Sequence, residues 1–138
     1  MSAPRFLDTN ILLYSISRDR EEARKHERAV ALLQHDDLAL SVQVLQEFYL
    51  EATHARRPDA LAHDLAAGLI RAWMRFPVQD ITPRLHEAAL EIETQHGLAY
   101  WDSTIVAAAQ ALGCREIHSE ELRHGQQVGG VTIVNPFR

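Results

Sequence analysis

Four places in the sequence set a carboxylate just beyond a short apolar run or in the early turns of a periodic one. Asp8 follows Phe6–Leu7, Glu47 lies two turns beyond Leu38–Leu40, Asp102 follows the break at Gly97, and Glu120-Glu121 follow Ile117–His118. Carboxylates drawn within a few ångströms repel, and some must take a proton unless a cation neutralises them. Oxygen donors of this kind suit Mg²⁺ or Mn²⁺, which keep several waters and bind phosphate oxygens. Ions so held activate water and stabilise the leaving oxygen in phosphodiester hydrolysis. Each acid also has a plainer role. Asp8 is a fitting cap for a helix starting at Thr9, although Thr9 and Asn10 can cap as well and so free it. Glu47 is an ordinary exposed helix residue, but one set beside Val44 and Phe48. Asp102 complements a helix dipole. The joint placement is what points to a shared site.

A framework for these groups is legible in the apolar pattern. Arg5–Leu7, Leu38–Leu40, Val78–Ile81, Glu116–His118 and Val131–Val134 read as short strands. Asp8-Thr9-Asn10 is a helix-starting cluster. Glu21–Gln34 is amphipathic, with Ala23, Val30 and Leu33 on one stripe. Ser41 caps a helix carrying Val44, Leu45, Phe48 and Ala52, and Pro58-Asp59 opens another that reaches about Met74. Thr82-Pro83 starts a helix that ends at His96 before Gly97, and Tyr100–Leu112 forms the last, stopped by Gly113. The alternation implies βαβ units and a mainly parallel sheet between helical layers, a three-layer α/β/α sandwich. In such folds the cleft lies at the carboxyl ends of the strands, at a switch in strand order. That edge gathers all four acidic segments.

Composition narrows the classes. The 138 residues suit one domain spanning 1–138, and no repeat or linker divides them. The lone Cys114 builds neither an intrachain disulfide nor a Cys-x-x-Cys zinc site. Leu65–Ile70 is the longest apolar run, far short of the ~18 residues of a membrane span. Asp8 and Asn10 interrupt any signal-like start, so a soluble cytoplasmic protein is expected. The net charge of −5 excludes a simple basic DNA-coating module. Eight histidines form no HExxH or Cys/His spacing. His118, His124, Arg115 and Arg123 flank the last acidic segment as phosphate-binding candidates or solvated side chains. Trp101 is either a base-stacking or a core residue, and Trp73, Met74 and Phe76 belong to the core or a dimer surface.

The segment Phe6-Leu7-Asp8-Thr9-Asn10-Ile11-Leu12-Leu13-Tyr14 resembles the opening strand and turn of PIN-domain proteins, the VapC toxins of type II toxin–antitoxin systems above all. Gln43-Val44-Leu45-Gln46-Glu47-Phe48-Tyr49 is similar to their glutamate-bearing helix. Tyr100-Trp101-Asp102-Ser103-Thr104 and the alanine-rich run after it resemble their third acidic motif, and Ser119-Glu120-Glu121 resembles their Ser/Thr-x-Asp stretch. The motifs occur in order along the whole chain. One departure is Glu121, where family members usually carry aspartate.

The resemblance implies a PIN-like sandwich and a metal-dependent endoribonuclease using Mg²⁺ or Mn²⁺, homodimeric, acting on RNA and silenced by a cognate antitoxin. It implies Asp8 and Asp102 as catalytic metal ligands, with Glu47 and Glu121 completing the pocket directly or through water. Thr9, Asn10 and Ser119 then orient the carboxylates by hydrogen bonds. Glu120, pointing elsewhere, is left as a solvated charge. Residue spacing alone does not choose RNA. A non-catalytic PIN-fold module binding RNA or protein is the alternative. A metal-dependent phosphatase wants a second acid where Asn10 stands, and a receiver domain wants a late lysine, whereas the chain's only lysine is Lys25.

Overall fold

The computed structural model describes residues 3–138. Six strands form one sheet in the order β3-β2-β1-β4-β6-β5: β1 Arg5–Leu7, β2 Leu38–Ser41, β3 Val78–Gln79, β4 Glu116–His118, β5 Gln127–Val128 and β6 Val131–Val134. Every pairing is parallel except β5 with β6. The helices are α1 Thr9–Tyr14, α2 Ala23–Leu32, α3 Val42–Ala52, α4 His63–Trp73, α5 Pro83–His96 and α6 Tyr100–Ala111, with a 3₁₀ turn at Arg20–Glu22.

The chain steps outward from β1 to β2 to β3, then returns across the sheet to β4. Parallel crossovers are right-handed, so this reversal puts α1–α4 on one face and α5–α6 on the other. Packing agrees: α1 meets α2 and α3, α3 meets α4, α5 pairs with α6, and α6 lies on β2, β4 and β6. The expected sandwich is therefore present, and its switch point falls between β1 and β4. There Phe6 is in register with Ile117 and Leu7 with His118. Phe6, Leu7, Leu38, Leu40, Ile117 and Ile133 fill the central strands and are buried. Short, wholly apolar strands covered on both faces are what parallel sheets require.

Local chemistry sets most helix ends. Ser41 Oγ accepts from the Val44 amide (3.2 Å) and Thr82 Oγ1 from the Leu85 amide (3.1 Å), with Pro83 at the first position of α5. Gly97 closes α5 in the left-handed region (φ 68°), which its lack of a Cβ permits.

Several expectations shift. The helix expected from Pro58 begins at His63, because the residues before it are spent on a turn. The Arg57 side chain pairs with Asp59 (2.9 Å), Asp59 Oδ2 accepts from the Arg18 amide (3.2 Å), and the Leu61 amide donates to Ala52 O (2.8 Å). The buried stripe of α2 is Ala29, Leu32 and Leu33, while Ala23 and Val30 face outward. The strand expected over Val78–Ile81 stops at Gln79, since only Leu40 and Ser41 pair with it. Strand β5 was not anticipated; Gly129-Gly130, both at positive φ, turn it into β6 as a tight hairpin. Trp73 and Phe76 are core, whereas Met74 is exposed.

Helix α3 is seated by Phe48, fully buried and edge-on to Trp73 of α4, with ring centroids 4.7 Å apart. Its neighbour Glu47 takes its position from that anchor. Phe48→Ala is expected to cost about 3–5 kcal/mol in urea unfolding. A cost below about 1 kcal/mol would show that α3 is held elsewhere.

Candidate functional site

Asp8 ends β1 and caps α1 at once. Its amide extends the sheet ladder by donating to His118 O (3.0 Å), and its extended backbone (φ −76°, ψ 162°) turns the chain into the helix. Oδ1 accepts from the Thr9 amide (2.8 Å) and Oδ2 from Ser119 Oγ (2.7 Å). The capping role and the site role thus fall to one side chain. Ser119 opens the turn after β4, where its amide donates to Val134 O (2.9 Å). Its hydroxyl also accepts from the Glu121 and Leu122 amides (3.1 and 3.2 Å) and faces Asn10 Nδ2 (3.4 Å). Asn10 Oδ1 accepts from the Glu120 amide (3.0 Å).

Glu47 projects from mid-α3 toward the same edge. Thr9 Oγ1 donates to its Oε2 (2.7 Å) and Gln43 Nε2 to its Oε1 (2.8 Å). Gln43 in turn accepts from Thr104 Oγ1 (2.6 Å), tying α3 to α6. Asp102 stands in the first turn of α6, where Ala99 holds the capping position. Thr9 and Ser119 bond the carboxylates of Glu47 and Asp8, whereas Asn10, expected to do the same, bonds Ser119 and the Glu120 amide instead; Gln43 and Thr104 extend the network. The signal for Gln43 was its spacing of four from Glu47 on one helix face.

The charges reveal the crowding. Burial pushes the Asp8 carboxyl up to about 6, against the Ser119 and Thr9 hydrogen bonds and with help from Glu121 and Glu47. Asp102 is raised by burial and by Glu47, and Glu121 by burial, Glu47 and Asp102 in that order. Asp8, Asp102 and Glu121 therefore all feel Glu47, and Glu121 also feels Asp102 and acts on Asp8. Among the described residues none of them has a cationic partner; the ion pairs are Arg5–Asp37, Lys25–Glu120, Arg57–Asp59 and His118–Glu116. An open cleft of about 340 Å³ lies between Thr9, Asn10, Leu13, Glu47, Leu50, Glu51 and Glu121; Asp8 and Asp102 lie outside its lining.

The donor set is all hard oxygen, negatively charged and unneutralised, which fits a divalent cation. Among the described residues no three His, Cys, Asp or Glu side chains close up tightly enough to cage an ion alone. That looseness suits Mg²⁺, which needs only one or two carboxylates and keeps its waters for exchange with phosphate oxygens.

The sequence model of the PIN domain matches residues 5–124, from β1 through the turn that carries Glu121. The chain belongs to the PIN-domain family. PIN domains generally use divalent metal ions. Solved PIN structures of the VapC kind superpose along most of their length. VapC20 of Mycobacterium tuberculosis, a Sarcin-Ricin loop cleaving toxin, is 23% identical with a TM-score of 0.67, covering 85% of this chain and 89% of that one. A toxin–antitoxin complex from Klebsiella pneumoniae is 21% identical with a TM-score of 0.69 over 98% of both chains. DNA-bound VapBC from Salmonella typhimurium is 20% identical with a TM-score of 0.66, covering 96% and 97%. Similarity at this level speaks to the PIN fold. No curated protein sequence matches the chain.

Around this PIN site, some flanking expectations change. His118 is buried and pairs with Glu116 (3.0 Å), and His124 Nδ1 accepts from the Asn135 amide (3.0 Å), so both serve the fold. Arg115 and Arg123 are exposed. Trp101 is exposed beside Asp102 rather than core. Glu120 is not a free solvated charge: its carboxylate meets Tyr14 Oη and Lys25 Nζ.

Asp8 gives the site a pH signature. The unfolded chain loses this proton near 3.8, whereas the fold holds it to about 6. Between those values the folded state binds more protons, so this group's contribution to stability falls as pH rises and levels off above about 6. Without divalent ions, Asp8→Asn is expected to be about 1–2 kcal/mol more stable than wild type at pH 8, and no more stable at pH 4. Part of the relief is lost because the new amide faces a serine hydroxyl that already accepts from backbone amides. Urea unfolding at both pH values checks this; an equal difference at each would refute it.

Proposed function

We propose that this PIN domain, a single unit over 1–138, is a Mg²⁺- or Mn²⁺-dependent endoribonuclease and the toxin of a toxin–antitoxin pair. What supports the reading is the acidic set of Asp8, Glu47, Asp102 and Glu121, none of which has a cationic partner among the described residues. An all-acidic cleft repels a phosphodiester; it makes sense as a nucleic-acid site only once a divalent ion reverses its charge. Asp8 and Asp102 are the ligands proposed, with Glu47 and Glu121 completing the pocket directly or through water. The ion, when bound, supplies charge neutralisation and polarises the phosphate.

The chain's own groups hold this arrangement open. Ser119 and Thr9 direct their hydroxyls at Asp8 Oδ2 and Glu47 Oε2, and the Thr9 amide and Gln43 hold the second oxygens, so each oxygen keeps one lone pair for a cation. Gln43 and Thr104 keep Glu47 aligned with the helix that bears Asp102. Glu47 and Glu121 line the open cleft, where a polymer can lie across the site.

The partners follow from the surface. Leu50, Met74, Ile81 and Trp101 are exposed, and an apolar groove of about 640 Å³ runs between Leu45, Tyr49, Ile70 and Met74 beside the acidic cleft. A second copy of the chain and an antitoxin segment are the occupants proposed for this region. A basic side chain from the antitoxin would enter the cleft and displace the cation by charge. The relation to known toxin–antitoxin structures supports this reading.

In an RNA-cleavage assay with Mn²⁺, Asp8→Asn and Asp102→Asn are expected to lower the rate about a hundredfold or more. Glu121→Asp, the more usual family residue, should keep the rate or raise it, while Glu121→Gln weakens the Mn²⁺ response. Wild-type cleavage by Asp8→Asn would overturn the assignment.

A further inference from the structure

Glu120 is held from two sides. Its amide donates to Asn10 Oδ1 (3.0 Å), inside the site, while its carboxylate leaves in the other direction. There Tyr14 Oη, at the end of α1, donates to Oε1, and Lys25 Nζ, on α2, pairs with Oε2. Lys25 Nζ also lies 3.4 Å from Tyr14 Oη and 5.1 Å from the centre of the Tyr14 ring. The tyrosine is braced in turn by Phe137, edge-on with centroids 5.0 Å apart.

The next residue is Glu121. Its amide and that of Leu122 are caught by Ser119 Oγ, which closes a narrow turn. In such a turn successive side chains diverge, so fixing one outward fixes the next inward. We propose that Glu120 is a positioning residue: gripped by Tyr14 and Lys25 outside the cleft, it sets the turn so that Glu121 faces the cation site. Lys25, the chain's only lysine, is then part of the site's support rather than a surface charge. The inference rests on the reading of the four carboxylates as a metal centre.

Electrostatics alone predicts the opposite result for one variant, which makes it decisive. Lys25→Met removes a positive charge near an acidic cleft and keeps most of the aliphatic stem. By Coulomb's law it would strengthen cation binding; through lost positioning it weakens it. Mn²⁺ binding by the full chain is measured by isothermal titration calorimetry. The expected result is a Kd about 5- to 10-fold weaker for Lys25→Met, at the low end of what an indirect support of a ligand costs. Asp37→Asn breaks a comparable ion pair with Arg5 at the opposite end of the strands and should leave Kd unchanged. In a Glu121→Gln background, Lys25→Met should add nothing, because the support has lost what it positions. In metal-free protein, hydrogen exchange at the Glu121 and Leu122 amides should quicken in Lys25→Met and not in Asp37→Asn.

Mn²⁺ binding by Lys25→Met that equals or exceeds wild type, with the two amides unchanged, overturns the proposal. So does an equal loss from Lys25→Met with and without Glu121. If wild type itself binds no Mn²⁺, or Asp8→Asn binds it as well as wild type, the metal-centre reading fails first. The exchange rates still report whether the grip orders the turn.

Discussion

A carboxylate taken out of water must find hydrogen bonds or opposite charge, and among the described residues Asp8 finds only the former. One oxygen rests on the first amide of α1, the other on the hydroxyl of Ser119. The second of those bonds joins the ends of the central strands β1 and β4, and around the pair the neighbouring side chains take their places. Thr9 follows in sequence and reaches Glu47; Asn10 follows next and reaches the turn after β4. The polar layer is thin, three residues from α1 and one from the turn. It converts a sheet edge into a site because parallel strands leave their carboxyl ends facing the same way.

The apolar core supports this layer without sharing its chemistry. Phe6 and Leu7 precede Asp8, Ile117 precedes His118 and Ser119, and Phe48 adjoins Glu47, all of them buried. Asp8, Glu47 and Ser119 are thus one or two residues from a tightly packed neighbour. Close packing of that kind resists small displacements, which is what a cluster of mutually repelling groups needs if it is to stay assembled. Burial first and mutual repulsion second hold the Asp8, Asp102 and Glu121 carboxyls above their ordinary range.

Much of this was legible in the sequence. The strand runs ending in Leu7 and His118, the caps at Ser41 and Thr82 and the stop at Gly97 are local signals, and local signals survive folding. Four acids placed after strand ends imply one edge, and in the structure Glu47 lies within range of the charges of Asp8, Asp102 and Glu121. What was not legible depends on partners distant in sequence. Pro58 opens a turn instead of a helix because Arg18 and Arg57 claim Asp59. Glu120 reads as a free charge until α1 and α2 are folded against its turn. The β5–β6 hairpin was signalled by Gly129-Gly130, but two-residue strands carry too little pattern to stand out. Asp8 was expected to be relieved of capping by its neighbours; both of those turned out to be engaged, Thr9 with Glu47 and Asn10 with Ser119 and Glu120.

The contact between Asp8 and Ser119 spans 111 positions of sequence, and that span governs when the site comes into being. A ribosome delivers β1 well before β4, so a nascent chain carries Asp8 beside an unfilled strand position while the residues between them are made. The helices that bear Glu47 and Asp102 emerge in between and can pack, but the acidic edge has no closing strand until β4 arrives. Assembly of the pocket therefore waits on β4. A partly made chain, released early by stalling or cleavage, carries most of the fold's residues without the complete centre.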